Sequence, residues 1–338
     1  MSVQNKLAVF TGNAHPQLAA DICQHLGIPL GKAEVFQFPN ENIFVKIHEN
    51  VRGRDVFVAQ PLTHPVNTSI MELLIMLDAF KRASAQRVTA VVPYYSYGRT
   101  DKKDQPRVPI TARLIADCLS VAGAQRVLTM DLHAGQIQGF FNIPVDELTA
   151  KLILTDYIRK KGIRDLTVIA TDAGFAKKAR NIAESLDAPL AIVEKRRMGN
   201  NSQSEAMSLI GSVVGRSALV VDDEIDTAGT LVQAVRVARA HGAQEVYACA
   251  SHGVLSGAAI ERLIEADIKE LILTDSVPLP EEKRLPFITT LSVAGLFARA
   301  IQRIHQGRSV SRLFGEPAED PEDGEARDEG VMVEMAGN

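Results

Sequence analysis

The sequence predicts an α/β protein built from two tandem domains, each a mainly parallel sheet flanked by helices. Short β-rich apolar runs alternate with segments of helical period along most of the chain. The strand runs are almost continuously hydrophobic, as parallel strands covered on both faces are. More such runs occur than one small sheet would hold, so two domains are the economical arrangement. A chain of 338 residues, 46% hydrophobic and 23% charged, is long enough for both.

Taken in order, "DVFVAQ" precedes the helical "TSIMELLIMLDAFKRA", "RVTAVVPYY" precedes "ITARLIADCLSVAG", and "RVLTMDLH" precedes "ELTAKLILTDYIRKKG". The series continues through the strands "LTVIATD", "PLAIVEK", "ALVVDDE", "EVYACASHGV" and "ELILTDSV", with helices such as "TLVQAVRVARAHG" between them. Lys195, Arg196 and Arg197 stand at a strand end, the polar residues "MGNNSQSEA" after them read as a mobile loop, and the acid-rich end "EPAEDPEDGEARDEG" as a disordered, solvating tail. The expected division is 1–148 for the first domain, completed by about 296–315, then 149–295 for the second and 316–338 for the tail.

Charge narrows the function classes. The net charge is −4, but residues 316–338 carry nine acids and one Arg, which leaves the body at +4. No Lys/Arg stripe interleaved with aromatics occurs, so no nucleic-acid partner is expected, although a local basic cluster suffices for a phosphorylated metabolite. Cys23, Cys118 and Cys249 lack metal or disulfide spacing and read as core residues of a reducing compartment. No apolar run reaches 18 residues, so a cytoplasmic protein without a membrane partner is expected.

Ligands of open α/β sheets bind beyond the carboxyl ends of the strands. The polar residues gather at those ends, most densely in "VVDDEIDTAGT" (220–230), which places Asp222, Asp223, Glu224 and Asp226 within five positions. The small residues Ala228 and Gly229 permit a tight turn into a helix whose free N–H groups favour a phosphate, and Thr227 and Thr230 add hydroxyl donors. The carboxylates repel that phosphate and need another partner, either sugar hydroxyls or Mg²⁺. A phosphorylated sugar satisfies both halves at once.

"VVDDEIDTAGT" resembles the phosphoribosyl diphosphate motif of type I phosphoribosyltransferases. An ordered series over residues 4–315 resembles one branch of them, the ribose-phosphate pyrophosphokinases: "FPNENIFVKI", "ENVRGRDVFVAQ", "PVNTSIMELLIMLDAFKRASA", "PYYSYGRTDKK", "TMDLHAGQIQGFF", "KRR", "SHGVLSGAAIERL" and "GRSVSRLF". The resemblance implies two tandem phosphoribosyltransferase-like (Rossmann-like) domains. It also implies transfer of the pyrophosphoryl group of MgATP to ribose 5-phosphate, giving phosphoribosyl diphosphate and AMP, with Mg²⁺ as cofactor. Asp222, Asp223, Asp226, Thr227, Ala228, Gly229 and Thr230 then bind ribose 5-phosphate.

The same resemblance implies ATP contacts from Phe38, Asn40, Asn42, Arg99, Asp101 and His133, with Phe38 stacking on the base from a neighbouring subunit. His133 and Asp172 are implied as Mg²⁺ ligands, and Lys195 and Arg197 as the cations that offset charge on the transferring group. Arg52, Ser84, Ser309 and Ser311 match a regulatory site for phosphate or ADP, and the assembly implied is a homohexamer of dimers. Asn42 and Thr68 stand where acidic residues are usual, and Met198 and Gly199 where a proline and a basic residue are common. Those first two departures keep a second reading in view, a non-catalytic regulatory homologue of the same enzyme.

Overall fold

The computed structural model describes residues 6–197 and 205–314; the side chains of residues 195–197, 205, 206 and 314 lie outside that description. The acidic tail and residues 198–204 also lie outside it. Two compact units divide the chain, one formed by Met1–Thr149 with the chain from Ser292 onward, the other by Ala150–Leu291.

The first unit runs β1 (Leu7–Thr11), α1 (Pro16–Leu26), β2 (Ala33–Gln37), β3 (Ile43–Ile47), β4 (Asp55–Ala59), α2 (Val66–Arg82), β5 (Arg87–Val92), α3 (Thr111–Ala122), β6 (Arg126–Met130) and β7 (Val145–Leu148). Its five-stranded sheet has the order β1-β4-β5-β6-β7 and is parallel throughout, while β2 and β3 form a separate antiparallel hairpin. Apolar side chains cover both faces of this sheet, with Phe10, Phe57 and Phe80 fully buried. Helix α1 starts at Pro16, where the missing N–H costs nothing, and ends at Gly27 in the left-handed conformation with φ 65°.

In the second unit come α4 (Lys151–Lys161), β8 (Leu166–Ala170), α5 (Ala176–Ser185), β9 (Leu190–Arg197), β10 (Glu205–Ile210), β11 (Ser217–Ile225), α6 (Gly229–Ala240), β12 (Val246–Gly253), α7 (Ala259–Glu265), β13 (Glu270–Thr274) and β14 (Ile288–Leu291). Its seven strands are ordered β10-β9-β8-β11-β12-β13-β14, and only the β9–β10 pair is antiparallel. Strand β11 therefore lies inside the sheet, paired on both sides. The chain then returns to the first unit as α8 (Ala294–His305), which packs against α1 and buries Phe297. Arg87 donates through Nη2 to Ile304 O at 3.0 Å, and His305 Nδ1 lies 2.8 Å from Asp55 Oδ2, so the end of α8 is fastened to the amino ends of β4 and β5.

Three readings of local structure are corrected. Glu147 and Leu148 belong to β7, not to the following helix, because residues 145–148 pair in parallel with Val127–Met130. The Glu147 carboxylate accepts from Leu132 N at 2.9 Å, which anchors the loop after β6. Strand β5 stops at Val92 rather than Tyr95, since Pro93 has no N–H for the ladder. The stretch read as a loop after Arg197 becomes strand at its end, because Glu205 and Ala206 open β10, which runs to Ile210 and pairs with β9 at the sheet edge. Of the cysteines, Cys23 and Cys249 are buried and burial pushes their thiols up to about 11 and about 12, whereas Cys118 is only half-buried.

A buried ionic knot holds the far edge of the second sheet. Glu270 accepts from Tyr157 Oη at 2.6 Å and Thr289 Oγ1 at 2.7 Å, and Lys161 Nζ lies 2.5 Å from its other oxygen. Burial raises the Glu270 carboxyl, but the hydrogen bonds from Lys161, Tyr157 and Thr289 outweigh it and hold the group below its ordinary value. A depressed carboxyl contributes stability above its unfolded value, near 4.3, and loses it as pH falls through the folded one. Glu270→Gln is expected to lower unfolding free energy by about 1–3 kcal/mol at neutral pH and to flatten the acid limb of the stability profile. Urea titrations at about pH 7 and about pH 3 check both, the difference between the proteins shrinking at the lower pH.

Candidate functional site

The densest constellation lies at the carboxyl end of β11. Asp222 Oδ2 accepts from Thr171 Oγ1 at 3.0 Å, and Thr171 directly follows β8, the neighbouring strand. Asp222 Oδ1 accepts from Asp223 N at 2.9 Å, and Asp223 Oδ1 from Glu224 N at 2.8 Å, so each carboxylate orients against the next residue's backbone. Asp223 and Glu224 are buried and Asp222 is half-buried. Burial, with the charge of Asp223 beside it, pushes the Asp222 carboxyl well above the ordinary carboxylate range.

Beyond the strand the backbone is strapped from below by the loop after β12. Ile225 O accepts from both Val254 N and Leu255 N at 3.0 Å, Asp226 O accepts from Ser256 N at 2.9 Å, and Ser256 Oγ donates to the Asp226 carboxylate. Ala228 is held at φ 60°, a left-handed conformation costly for a residue with a Cβ. That twist delivers the chain into α6 at Gly229 with no side chain capping the helix and no acid in its first turn. The N–H groups and positive end of α6 thus face a loop whose hydroxyls, Thr227 and Thr230, are exposed. An anion fits there, and hydroxyl donors or a cation fit the carboxylates beside it.

Asp172 stands at the same end of this sheet, exposed, with Oδ1 accepting from Phe175 N at 2.9 Å. Among the described residues no group of three His, Cys, Asp or Glu side chains is arranged to hold a metal ion. A resident metal cage is therefore a poor match. The hard oxygen donors present, Asp172 above all, suit Mg²⁺ that takes its remaining ligands from water and phosphate oxygens.

In the first unit the loops after β5 and β6 come together. A Cβ at Gly98 would lie 3.4 Å from His133 Cβ, so the glycine permits the close approach of the two loops. Arg99, Lys102, Lys103 and His133 are exposed there. Asp101 is buried and accepts from Gln136 Nε2 at 2.5 Å, which makes it a bracket between the loops as much as a ligand-facing group. Phe38, Asn40 and Asn42 lie instead at the tip of the β2–β3 hairpin, where Phe38 N donates to Asn42 O at 2.8 Å and Asn40 Oδ1 accepts from Asn42 N at 3.2 Å. Phe38 is 43% exposed and packs edge-on to Phe36 at 5.0 Å and Phe44 at 5.9 Å, an aromatic face whose hairpin packs on α2.

Lys195 and Arg197 end β9, paired with Met207 and Glu205, and their side chains lie outside the described residues. The four residues of the implied regulatory site form two pairs. Gly53 N, next to Arg52, donates to Ser84 O at 3.0 Å, and Ser84 has φ 63°. Ser309 Oγ donates to Ser311 Oγ at 2.9 Å, while Arg303 of α8 donates to Ser309 O. The first pair flanks the amino ends of β4 and β5, where the end of α8 is fastened, at the opposite end of those strands from Arg99 and His133. Thr171, Ser256, Gln136 and Arg262 hydrogen-bond to residues predicted from sequence without having been singled out themselves. "SHGVLSGAAIERL" carried two of them, but their partners lie some 30 residues away in the chain.

Residues 7–123 match the family described as the N-terminal domain of ribose phosphate pyrophosphokinase, and residues 196–315 the phosphoribosyl synthetase-associated domain. The ribose-phosphate pyrophosphokinase of Caldanaerobacter subterraneus subsp. tengcongensis is 56% identical over 311 residues, covering 92% of this chain and 98% of that protein. The enzyme of the same name from Corynebacterium ammoniagenes is 49% identical over 312 residues, with the same coverage. Among solved structures, the phosphoribosylpyrophosphate synthetase of Mycobacterium smegmatis superposes with a TM-score of 0.85 at 42% identity, covering 89% of this chain and 99% of that one.

The Asp222 geometry has a stability consequence. A carboxyl raised in the folded state costs nothing below its unfolded value, near 3.9; the cost of ionising it in the fold grows as pH rises above that and is complete above the folded value. In metal-free protein without ligand, Asp222→Asn is therefore expected to raise the melting temperature, by more at about pH 8 than at about pH 5. Thermal unfolding at the two pH values checks it.

Proposed function

The chain belongs to the ribose-phosphate pyrophosphokinase family, and we propose that it performs that family's reaction. The anomeric hydroxyl of ribose 5-phosphate attacks the β-phosphorus of MgATP in line. A bond forms from the sugar O1 to that phosphorus, the bond from it to the oxygen of the α-phosphate breaks, and AMP leaves with phosphoribosyl diphosphate as the other product.

The observation that carries this reading is the loop 222–230, where an uncapped helix start lies beside two carboxylates held by backbone and threonine donors. Thr227, Ala228, Gly229 and Thr230 hold the 5-phosphate, and Asp222, Asp223 and Asp226 take the sugar hydroxyls. Arg99 and His133 bind ATP phosphates, Asp101 holds their loop, and Phe38, Asn40 and Asn42 of a neighbouring copy take the adenine. Lys195 and Arg197 offset negative charge on the group in transfer. The protein orients the reactants, and no side chain is assigned as a base. Asp172 and His133 are the residues that would offer ligands to Mg²⁺, which would supply charge neutralisation to the phosphates.

We extend the reading to its setting: a cytoplasmic enzyme of nucleotide biosynthesis, a homo-oligomer of the hexameric type, with phosphate or ADP acting at Arg52, Ser84, Ser309 and Ser311. No helix among the described residues is long and apolar enough to cross a membrane. A non-catalytic regulatory homologue is the weaker reading. Relatives at 49–56% identity over 92% of the chain carry the enzyme's name, and a chain freed from catalysis has no need of an ionisable pair kept against burial at the end of β11.

Purified protein given ribose 5-phosphate and MgATP is expected to form AMP and phosphoribosyl diphosphate in equal amounts. Lys195→Ala is expected to lower kcat by about 100-fold or more, with ribose 5-phosphate binding retained. A folded wild-type protein that binds ribose 5-phosphate yet releases no AMP would instead support the regulatory reading.

A further inference from the structure

Arg262 projects from α7 onto the phosphate-facing loop. Its Nη1 donates to Thr227 O at 2.8 Å, and a Cβ at Gly229 would lie 3.8 Å from the same nitrogen. The guanidinium is thus beside the first turn of α6, at the positive end of that helix, and it is exposed. Among the described residues it forms no ion pair with a carboxylate. A full positive charge against the positive end of a helix is unfavourable alone, and the Thr227 carbonyl takes one of its five N–H groups. An anion seated on the loop offsets both charges and gives the remaining donors acceptors.

We propose that Arg262 is a further substrate-binding residue, which holds the loop through Thr227 O and takes oxygens of the 5-phosphate with its other N–H groups. It makes the site select a phosphorylated pentose over a neutral one. The proposal rests on the reading of residues 222–230 as the ribose 5-phosphate site. Arg262 lies about 30 residues beyond that loop in sequence, and its planar fork suits simultaneous contact with a carbonyl and a phosphate better than a lysine ammonium does.

Steady-state kinetics of Arg262→Gln and Arg262→Lys, with melting temperatures, test it. The expected result for Arg262→Gln is a KM for ribose 5-phosphate raised on the order of 10- to 100-fold, with kcat, the KM for ATP and the melting temperature little changed. Arg262→Lys recovers part of the loss because charge returns without the fork. A KM for ribose 5-phosphate within about twofold of wild type in Arg262→Gln overturns the proposal. So does a lysine variant no better than the glutamine one, or a loss spread over both substrates with a lowered melting temperature, which marks a mere strut. Failure of the wild-type protein to form AMP counts against the assigned reaction instead, and is read separately.

Discussion

Two adjacent carboxylates held at the end of a buried strand, beside the open start of a helix, are the constraint on which the rest of the structure depends. Ionised together without a ligand they destabilise the fold, and burial shows this by raising the Asp222 carboxyl. They persist because the surroundings over-determine their place. Strand β11 is paired on both sides, its end is strapped by Val254, Leu255 and Ser256, and Thr171 reaches across from β8. The register of one strand thus converts a run of sequence into a site with acceptors on one side and donors on the other. Ala228 is part of the same arrangement, a strained residue at the turn between the two.

How much of this was legible in the sequence depended on the range of the interactions. "VVDDEIDTAGT" announces itself because strand, turn and helix start are all local, and the βα alternation needs only periodicity. Strands β7 and β10 were missed because neither has a local signature. Val145–Leu148 is four residues at a sheet edge next to a strongly helical segment, and Glu205–Ile210 is a six-residue edge strand whose first two residues close a polar run that reads as loop. Both exist through pairing with strands already placed, the form of context that overrides propensity.

The same distinction separates the site residues. Asp222, Asp223 and Thr227 could be named from the motif, but Arg262 and Ser256 acquire meaning only when the fold brings α7 and the loop after β12 to them. Asp101 adds a second side to the same limit: the resemblance implies an ATP contact, and the fold shows in addition that its buried carboxylate accepts from Gln136. Asp55 illustrates the same limit at the other end of the first sheet. Arg87 and His305 reach it from 32 and 250 residues away, so the fastening of α8 was invisible in the sequence.

The central claim is that these residues serve transfer of a pyrophosphoryl group to a sugar phosphate. It is tested most directly by phosphorus NMR of the wild-type protein acting on ribose 5-phosphate and MgATP. The account predicts that the β and γ resonances of ATP disappear together into a diphosphate on the anomeric carbon as AMP accumulates in equal amount. Appearance of ADP with a single phosphoryl group on the sugar, or no reaction while ribose 5-phosphate is bound, would contradict it.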